Sequence, residues 1–214
     1  QGITDLTSNS SDSSAFEVQI YDAPKMLQRL SETDNRQGFF LFYLNDVYVS
    51  LLRGAYETAF AAVQKAETYL DAVPCRAVVI VFYFYRLLTL LARYPDADPA
   101  EQAVILEQVE QQATQLHHWA QYAPMNVLHK YRLVQAERYR VLGCRLEAME
   151  AYEQAITLAQ ENDYLNEEAL AYELAGLFYL SWGKTVIAQT YLINAYYAYE
   201  RWGATAKLVD LVQR

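Results

Sequence analysis

Three glycines recur at a constant distance from a following alanine, and this spacing constrains the fold more than any other feature of the chain. Each glycine stands between two runs of helical periodicity, and an alanine follows five residues later. A large apolar residue and a second alanine come next, at offsets of four and then three residues, so all three side chains share one helix face. Such a face lets neighbouring helices approach closely, and it predicts helical hairpins that repeat along the chain. The units are Gly54, Ala59, Val63 and Ala66; Gly143, Ala148, Tyr152 and Ala155; and Gly183, Ala188, Leu192 and Ala195.

A small residue and a tyrosine also recur upstream of two of these glycines, as Ala136 with Tyr139 and Gly176 with Tyr179. The small side chain allows two antiparallel helices to approach, and the aromatic ring fills the space beside it. This is the arrangement of a tetratricopeptide-type hairpin, although these units are longer than the usual ~34 residues. The second and third units lie 40 residues apart and the first and second lie 89 apart, which places a degenerate unit between residues 75 and 120.

The degenerate unit has a recognisable turn between Tyr94 and Pro99. Tyr94 precedes a proline and is therefore pushed out of the helical region, so the preceding helix should end at Arg93. Asp98 can cap the next helix, and Pro99 suits its first position. This turn completes the expected series of helices.

The sequence thus predicts an all-α fold, an α–α superhelix of the tetratricopeptide-like solenoid type with about four helical hairpins plus a terminal helix. Gly and Pro together number only 12 of 214 residues, so the chain has few turns, and long helices satisfy this best. The predicted helices span about 22–32, 36–53, 55–71, 76–93, 99–120, 124–142, 145–161, 166–182 and 184–201, and a last one begins near 204.

The composition predicts a short N-terminal arm followed by one repeat domain. Residues 1–14 are rich in serine and poor in large apolar groups, so we expect a flexible arm, and residues 15–214 form the repeat domain. The last helix carries an apolar stripe from Leu208 to Val212 with no further chain to cover it. We expect this truncated edge to support weak homo-oligomerisation.

The charge balance argues against nucleic acid as a partner, because 26 acidic residues outnumber 17 basic ones and the net charge is −9. One basic stretch alternates with glutamates and is interpreted as a solvated helix face, with an anion site as the alternative. It consists of Lys130, Arg132, Arg138, Arg140 and Arg145.

Membrane insertion and secretion are not predicted either. The most apolar run, from Ala77 to Ala92, is short for a bilayer span and contains Arg86, so it reads as a core helix. No signal peptide is visible, and Cys75 and Cys144 are too far apart in sequence for a close-spaced pair. We therefore expect a cytoplasmic protein with two reduced thiols.

No catalytic, metal or cofactor site emerges from the motifs. Gly183, Lys184 and Thr185 resemble the end of a phosphate-binding loop, but Phe178 occupies the position that needs a glycine. His117 and His118 are adjacent and point in different directions on a helix, so they cannot share a metal ion. We predict neither catalytic nor metal-binding residues and no cofactor, and a helical enzyme with an unrecognised site is the weakest alternative.

In tetratricopeptide-type stacks the first helix of each hairpin lines the concave face. That register predicts exposed binding-groove positions on these helices. The clamp that grips a peptide's terminal carboxylate would need lysine and asparagine where this chain has Leu44 and Tyr48, so binding of chaperone tails is not expected. The predicted groove residues are Asn45, Tyr48, Lys130, Glu137, Arg140 and Glu173.

The amino-acid sequence of several segments resembles the helical-repeat region of a family of very large bacterial, especially cyanobacterial, signalling proteins. These are multi-sensor signal transduction Ser/Thr and histidine kinases with an NTPase domain. The resemblance covers most of residues 36–212. It is carried by Ala123-Pro124-Met125-Asn126 and the residues through Ala155, by Asn166 to Ala175, by Phe178-Tyr179-Leu180 with Gly183-Lys184, by Ala188-Gln189-Thr190-Tyr191-Leu192, and by Tyr199, Arg201, Trp202, Gly203 and Ala204.

In such kinases this region lies between the NTPase domain and a sensor with a histidine kinase. None of the kinase or NTPase motifs is found in this sequence, so the resemblance implies a non-catalytic module that binds a protein partner or another domain of the same polypeptide. The alternative is a free-standing solenoid adaptor or regulator that binds a peptide or a small molecule. The partner and the signal are not specified by the sequence.

Overall fold

A computed structural model describes residues 22–74 and 77–212, and all regular secondary structure in those ranges is helical. The all-α prediction is confirmed, while the predicted arm at 1–14 and Cys75 lie outside the described residues. Every predicted helix is present with ends within two residues, except that the helix expected at 55–71 ends at Glu67 and is followed by a 3₁₀ turn. The α-helices are α1 (Ala23–Glu32), α2 (Arg36–Leu52), α3 (Tyr56–Glu67), α4 (Ala77–Arg93), α5 (Pro99–Tyr122), α6 (Pro124–Leu142), α7 (Arg145–Glu161), α8 (Leu165–Ser181), α9 (Thr185–Trp202) and α10 (Thr205–Val212).

The recurring glycines form the turns that the spacing predicts. Gly54, Gly143 and Gly183 have φ values of 73°, 75° and 75°, a left-handed conformation that glycine adopts without a steric penalty. After Gly143, the Cys144 amide donates back to the Tyr139 carbonyl at 2.9 Å. This bond closes the helix end and directs the chain into the next helix.

The small residues after each turn are buried where helices meet. Ala59, Ala148 and Ala188 are all fully buried. At Gly176 a Cβ atom would lie 2.8 Å from the Leu192 side chain, so α8 and α9 can pack at this distance only because the residue is glycine. The repeated small residues therefore set the spacing between paired helices.

The helices fall into two sets according to what they contact. Helices α2, α4, α6 and α8, called here the inner helices, each pack against the next member of the set. Helices α3, α5 and α7 each pack against the inner helices before and after them, and α9 packs against α8 and α10; these four are called the outer helices. The pattern repeats from Arg36 to the C-terminal helix.

Successive inner helices are displaced along their axes. Tyr48, Tyr85, Lys130 and Glu167 line the same cavity and are the 13th residue of α2, the 9th of α4, the 7th of α6 and the 3rd of α8. The rings of Tyr48 and Tyr85 are in contact, and Lys130 pairs with Glu167 and lies 6.0 Å from the ring centre of Phe84, the neighbour of Tyr85. Ten residues over three steps correspond to a shift of about 5 Å per step at 1.5 Å per residue.

The C-terminal helix continues this displacement. The ammonium of Lys207, the third residue of α10, donates to the carbonyl of Leu52 at the end of α2 and forms an ion pair with Glu173 at 2.8 Å. The edge predicted from Leu208 to Val212 is thus only partly open, because Leu208 is half-buried while Val212 is 74% exposed.

The apolar run in α4 packs inside the protein. By length and composition alone, the segment Ala77–Asp96 could cross a bilayer. Half of its most apolar stretch of 18 residues is buried in the fold. Arg86 lies in its middle, and its guanidinium pairs with Glu67 at 2.5 Å and donates to Gln112 at 2.7 Å. These contacts are those of a core helix.

Candidate binding cavity

A cavity of about 970 Å³ lies between the inner helices. All four of them contribute to its wall, and so does the loop before α6 and the end of α9. Aliphatic side chains from α2, α4 and α6 form most of the surface, and polar groups converge at one end. The lining residues are Leu41, Leu44, Asn45, Tyr48, Ala77, Ile80, Val81, Tyr85, Ala123, Asn126, Val127, Lys130, Tyr164, Asn166, Glu167 and Trp202.

Two tyrosines form the aromatic part of this wall. The rings of Tyr48 and Tyr85 meet edge to face with centroids 4.9 Å apart, and Tyr48 also contacts the ring of Trp202 at 6.0 Å. Both phenols lie close to the Asn166 side chain. Burial raises the pKa of Tyr48 and Tyr85 above the ordinary tyrosine value, so both hydroxyls stay neutral and available as hydrogen-bonding groups.

A buried ion pair supplies the only charges that the cavity wall carries among its described residues. The Lys130 ammonium lies 3.1 Å from the Glu167 carboxylate and 4.2 Å from the centre of the Tyr164 ring. Burial lowers the pKa of Lys130, while Glu167 acts against this shift. Since both charges are present and adjacent, the wall presents a neutral pair rather than a site for a free ion.

His129 extends this pair away from the cavity. Its Nε2 lies 3.2 Å from the Glu167 Oε2 and 2.9 Å from the Lys130 Nζ. Burial lowers the pKa of His129 below 6.5, which favours the neutral imidazole at pH 7. The imidazole therefore acts as a polar partner within the ion pair and adds no charge.

Three asparagines on three different inner helices also face the cavity. Asn126 accepts a hydrogen bond from the Tyr164 hydroxyl at 2.8 Å, and Asn166 lies beside the two tyrosines. Asn45 is half-buried, and its side-chain amide makes no hydrogen bond within the described part of the chain. Since an amide side chain both donates and accepts, these groups match the N–H and C=O of a peptide backbone.

A second, smaller cavity of about 290 Å³ lies near the other end of the inner helices, with Glu137, Arg140 and Glu173 in its wall. The Arg140 guanidinium pairs with Glu137 at 2.7 Å, and the Tyr152 hydroxyl donates to the same carboxylate. Burial alone would lower the pKa of Arg140, but the Glu137 charge raises it above its ordinary value. These side chains hold α4, α6 and α7 together, because Arg140 also donates to the Leu91 carbonyl at 3.3 Å.

All six predicted groove residues line one of the two cavities. Asn45, Tyr48 and Lys130 belong to the larger one, and the other three belong to the smaller one. Their expected exposure was wrong for Lys130, Glu137 and Glu173, each of which is only 3% exposed. The reason is that each charge has an opposite partner, which makes burial tolerable. Lys130 and Glu173 pair with Glu167 and Lys207 on other helices, and Glu137 pairs with Arg140 on its own helix.

The interpretation of the basic stretch as a solvated face is wrong in part for the same reason. Lys130 is buried against Glu167, and Arg138 pairs with Glu110 on α5 at 2.5 Å. Two of the five basic side chains in this stretch therefore form ion pairs with neighbouring helices.

Sequence reasoning missed several residues of the larger cavity. Glu167 stands in the first turn of α8, where an acidic residue is already explained by the helix dipole. Tyr85 lies in the apolar run of α4 and reads as core. The displacement between inner helices brings both to the level of Lys130, and no local pattern records that displacement.

The described residues hold no cluster of three or more histidine, cysteine, aspartate or glutamate side chains placed to bind a metal ion. Cys144 is a free thiol and is half-buried. No family model, curated protein or solved structure matches this chain.

Proposed function

We propose that this chain is a non-catalytic helical-repeat scaffold or interaction module, folded as a tetratricopeptide-like superhelix of about four hairpins plus a terminal helix. It binds a protein partner or another domain of the same polypeptide in the larger cavity. The observation that carries this proposal is the cavity wall, to which all four inner helices contribute. A packed core of the same size would leave no such space.

The displacement of the inner helices supports the superhelix. An average shift of about 5 Å per step turns a row of hairpins into a helical path, and it brings α10 beneath the end of α2 after four steps. The contact between Lys207 and Leu52 has the displacement expected from the earlier steps. A closed bundle with helices in register would place the start of α10 beside the start of α2.

The chemistry of the wall favours a segment of polypeptide as the occupant. Aliphatic side chains such as Ile80 and Val81 offer an apolar surface, and the asparagines offer paired donors and acceptors. The charged groups neutralise each other, so no strongly charged ligand is selected. A short peptide with large apolar side chains meets all three conditions.

The proposal includes a larger cytoplasmic polypeptide as the context of the module, as the resemblance to multi-sensor signalling kinases implies. An antibody raised against this chain should detect, in the source cell, a species far larger than the 24.6 kDa of the chain itself. If the antibody detects only a species of about the mass of this chain, 24.6 kDa, the kinase context is contradicted and the free-standing alternative is favoured.

Photo-crosslinking tests the cavity itself. A benzoylphenylalanine introduced at Ile80 points into the cavity, whereas the same group at Val104 lies on α5 with half of the side chain exposed. In the source cell, the Ile80 position should give crosslinks to one defined polypeptide segment that the Val104 position does not give. The same products from both positions, or none from Ile80, would contradict the proposal.

The variant Asn45→Leu provides a second readout. Because the Asn45 side-chain amide makes no hydrogen bond within the described residues, this change should leave the fold intact. It should also reduce the yield of the Ile80 crosslinks. Undiminished yield would show that the amide takes no part in recognition.

A free-standing adaptor that binds a small molecule is the second candidate, and the cavity volume favours it. About 970 Å³ lies at the upper end of the range of small-molecule pockets. A small ligand would raise the melting temperature of the isolated chain, and this rise should disappear in a variant that fills the cavity, such as Ala77→Trp.

A further inference from the structure

The outer face of α9 differs from the outer faces of the other outer helices. No charged residue occurs from Thr185 to Tyr199, although a fifth of the whole chain is charged. Helices α3, α5 and α7 each expose acidic side chains, for example Glu57, Glu107 and Glu150. An outer helix that faces only water would be expected to carry charges as they do.

Large apolar side chains occupy this uncharged face. Val186, Ile193 and Tyr197 are 78%, 55% and 57% exposed, and Thr190 lies between them. The four residues are spaced at i, i+4, i+7 and i+11, which places them in one stripe along the helix. In the described part of the chain α9 packs against α8 and α10, and neither covers the stripe.

We propose that the α9 stripe, defined as Val186, Thr190, Ile193 and Tyr197, is a self-association surface that binds the same stripe of a second copy of this chain. A partner for an uncharged face must itself present an uncharged face, because desolvating an unpaired charge is costly. Among the described outer helices, α9 alone offers one.

The spacing of the stripe also fits a twofold axis. In an antiparallel pair of α9 helices, an axis midway between Thr190 and Ile193 brings Val186 opposite Tyr197 of the second copy. The same axis brings Thr190 opposite Ile193. Each pair therefore occurs twice, once on either side of the axis, as an isologous interface requires, and in both pairs a smaller side chain meets a larger one.

The surface supports only a weak dimer. From Val186 to Tyr197 the stripe is about 16 Å long at 1.5 Å per residue. A face of that length is smaller than the ~800 Å² per partner of a standard interface, so dissociation in the micromolar range is expected. The net charge of −9 on each copy opposes association at low salt, and added salt should strengthen it.

Sedimentation velocity of the full chain tests this surface. From about 5 to about 500 µM, which brackets micromolar affinity, the weight-average mass should rise from 24.6 kDa towards twice that value. Ile193→Glu should keep the protein monomeric throughout. The matched control Val104→Glu adds the same charge at a similarly exposed site on α5 and should associate like the unchanged chain.

A second variant tests the antiparallel arrangement. The double substitution of Thr190→Lys with Ile193→Glu should restore association, because the twofold axis places the new ammonium opposite the new carboxylate in both halves. A strictly monomeric parent chain at every concentration, or unchanged association of Ile193→Glu, would overturn the proposal. Failure of the double substitution to restore association would overturn the antiparallel register.

Discussion

At the scale of single residues, the turns between helices show why some left-handed positions can be predicted from the sequence and others cannot. Four turns use a glycine with φ between 73° and 84°, at Gly54, Gly143, Gly183 and Gly203. Asp163 takes the same left-handed conformation with φ 60° in the turn between α7 and α8. The conformation is common to these turns, but only glycine is a clear signal for it.

The substitution Asp163→Gly should therefore stabilise the protein. Glycine adopts the left-handed region without the steric cost that an L side chain carries, so the free energy of unfolding should rise by up to about 1 kcal/mol. Gly143→Ala is the converse control and should lower it by about 1 kcal/mol, because an added Cβ meets nothing within 4 Å and only the backbone cost remains. Urea unfolding measures both. A loss of stability in Asp163→Gly would contradict the explanation.

The turn glycines were predicted because the signal is local. The positions of Gly54, Gly143 and Gly183 identify three turns, and the prolines identify those near 95 and 124. The left-handed conformation of Asp163 is not indicated by a glycine or a proline, although the periodicity of the flanking helices predicts their positions correctly. Burial of Lys130 and Glu173 could not be predicted, since it depends on ion-pair partners at distant positions in the chain, Glu167 and Lys207.

His129 gives the protein a specific dependence on pH. Burial holds its pKa below 6.5, so the unfolded chain takes up this proton at a higher pH than the folded protein does. Stability should therefore fall as the pH decreases from about 7 to about 5.5. In His129→Gln this part of the pH dependence should be reduced, which urea unfolding at several pH values can measure. Identical pH profiles for the two proteins would contradict the assignment.

At the scale of helices, the close approach of α8 and α9 depends on a single missing side chain. A Cβ at Gly176 would lie 2.8 Å from the Leu192 Cγ and 3.3 Å from the Leu192 backbone nitrogen. The leucine side chain can rotate, but the backbone cannot move without shifting the helix. Spacing between these two helices is therefore set at residue 176.

Gly176→Ala should destabilise the protein by roughly 1–3 kcal/mol, because the added methyl group overpacks this contact. Combining it with Leu192→Ala should recover part of the loss, so the two changes should not be additive. A thermodynamic cycle over the two single variants and the double variant measures the coupling. Strict additivity would show that the two residues do not limit the approach.

The ends of the helices were predictable from the sequence, whereas their displacement was not. Asp98 accepts hydrogen bonds from the Ala100 and Glu101 amides at 2.9 Å, as its position before Pro99 indicates. Caps and prolines act over a few residues and are visible in any stretch of sequence. The shift of about 5 Å between inner helices arises from side-chain packing between hairpins, which no single stretch encodes.

At the scale of the whole molecule, Lys207 links the two ends of the described fold. Its ammonium contacts the Leu52 carbonyl on α2, the Glu173 carboxylate on α8 and the Asp210 carboxylate on its own helix. The Lys207 side chain is only 2% exposed and that of Glu173 is only 5% exposed. A buried pair of this kind is costly to break, because removal of one partner leaves an uncompensated charge.

Lys207→Met should destabilise the protein by about 3 kcal/mol or more, since it removes the ammonium that pairs with the buried Glu173 carboxylate. Adding Glu173→Gln should restore much of the loss, because it removes the buried negative charge that Lys207 balances in the unchanged protein. Urea unfolding of the single and double variants measures both effects. A negligible loss in Lys207→Met would mean that α10 does not hold the fold together.

The central claim is that the inner helices leave an open site rather than a filled core, and cysteine accessibility tests it most directly. With Cys75 and Cys144 replaced by serine, Ile80→Cys should react with a maleimide reagent at a rate close to that of an exposed thiol, because Ile80 lines the cavity. Val134→Cys, at a fully buried position on α6, should react far more slowly. Equal protection of both thiols in the folded protein would contradict the account.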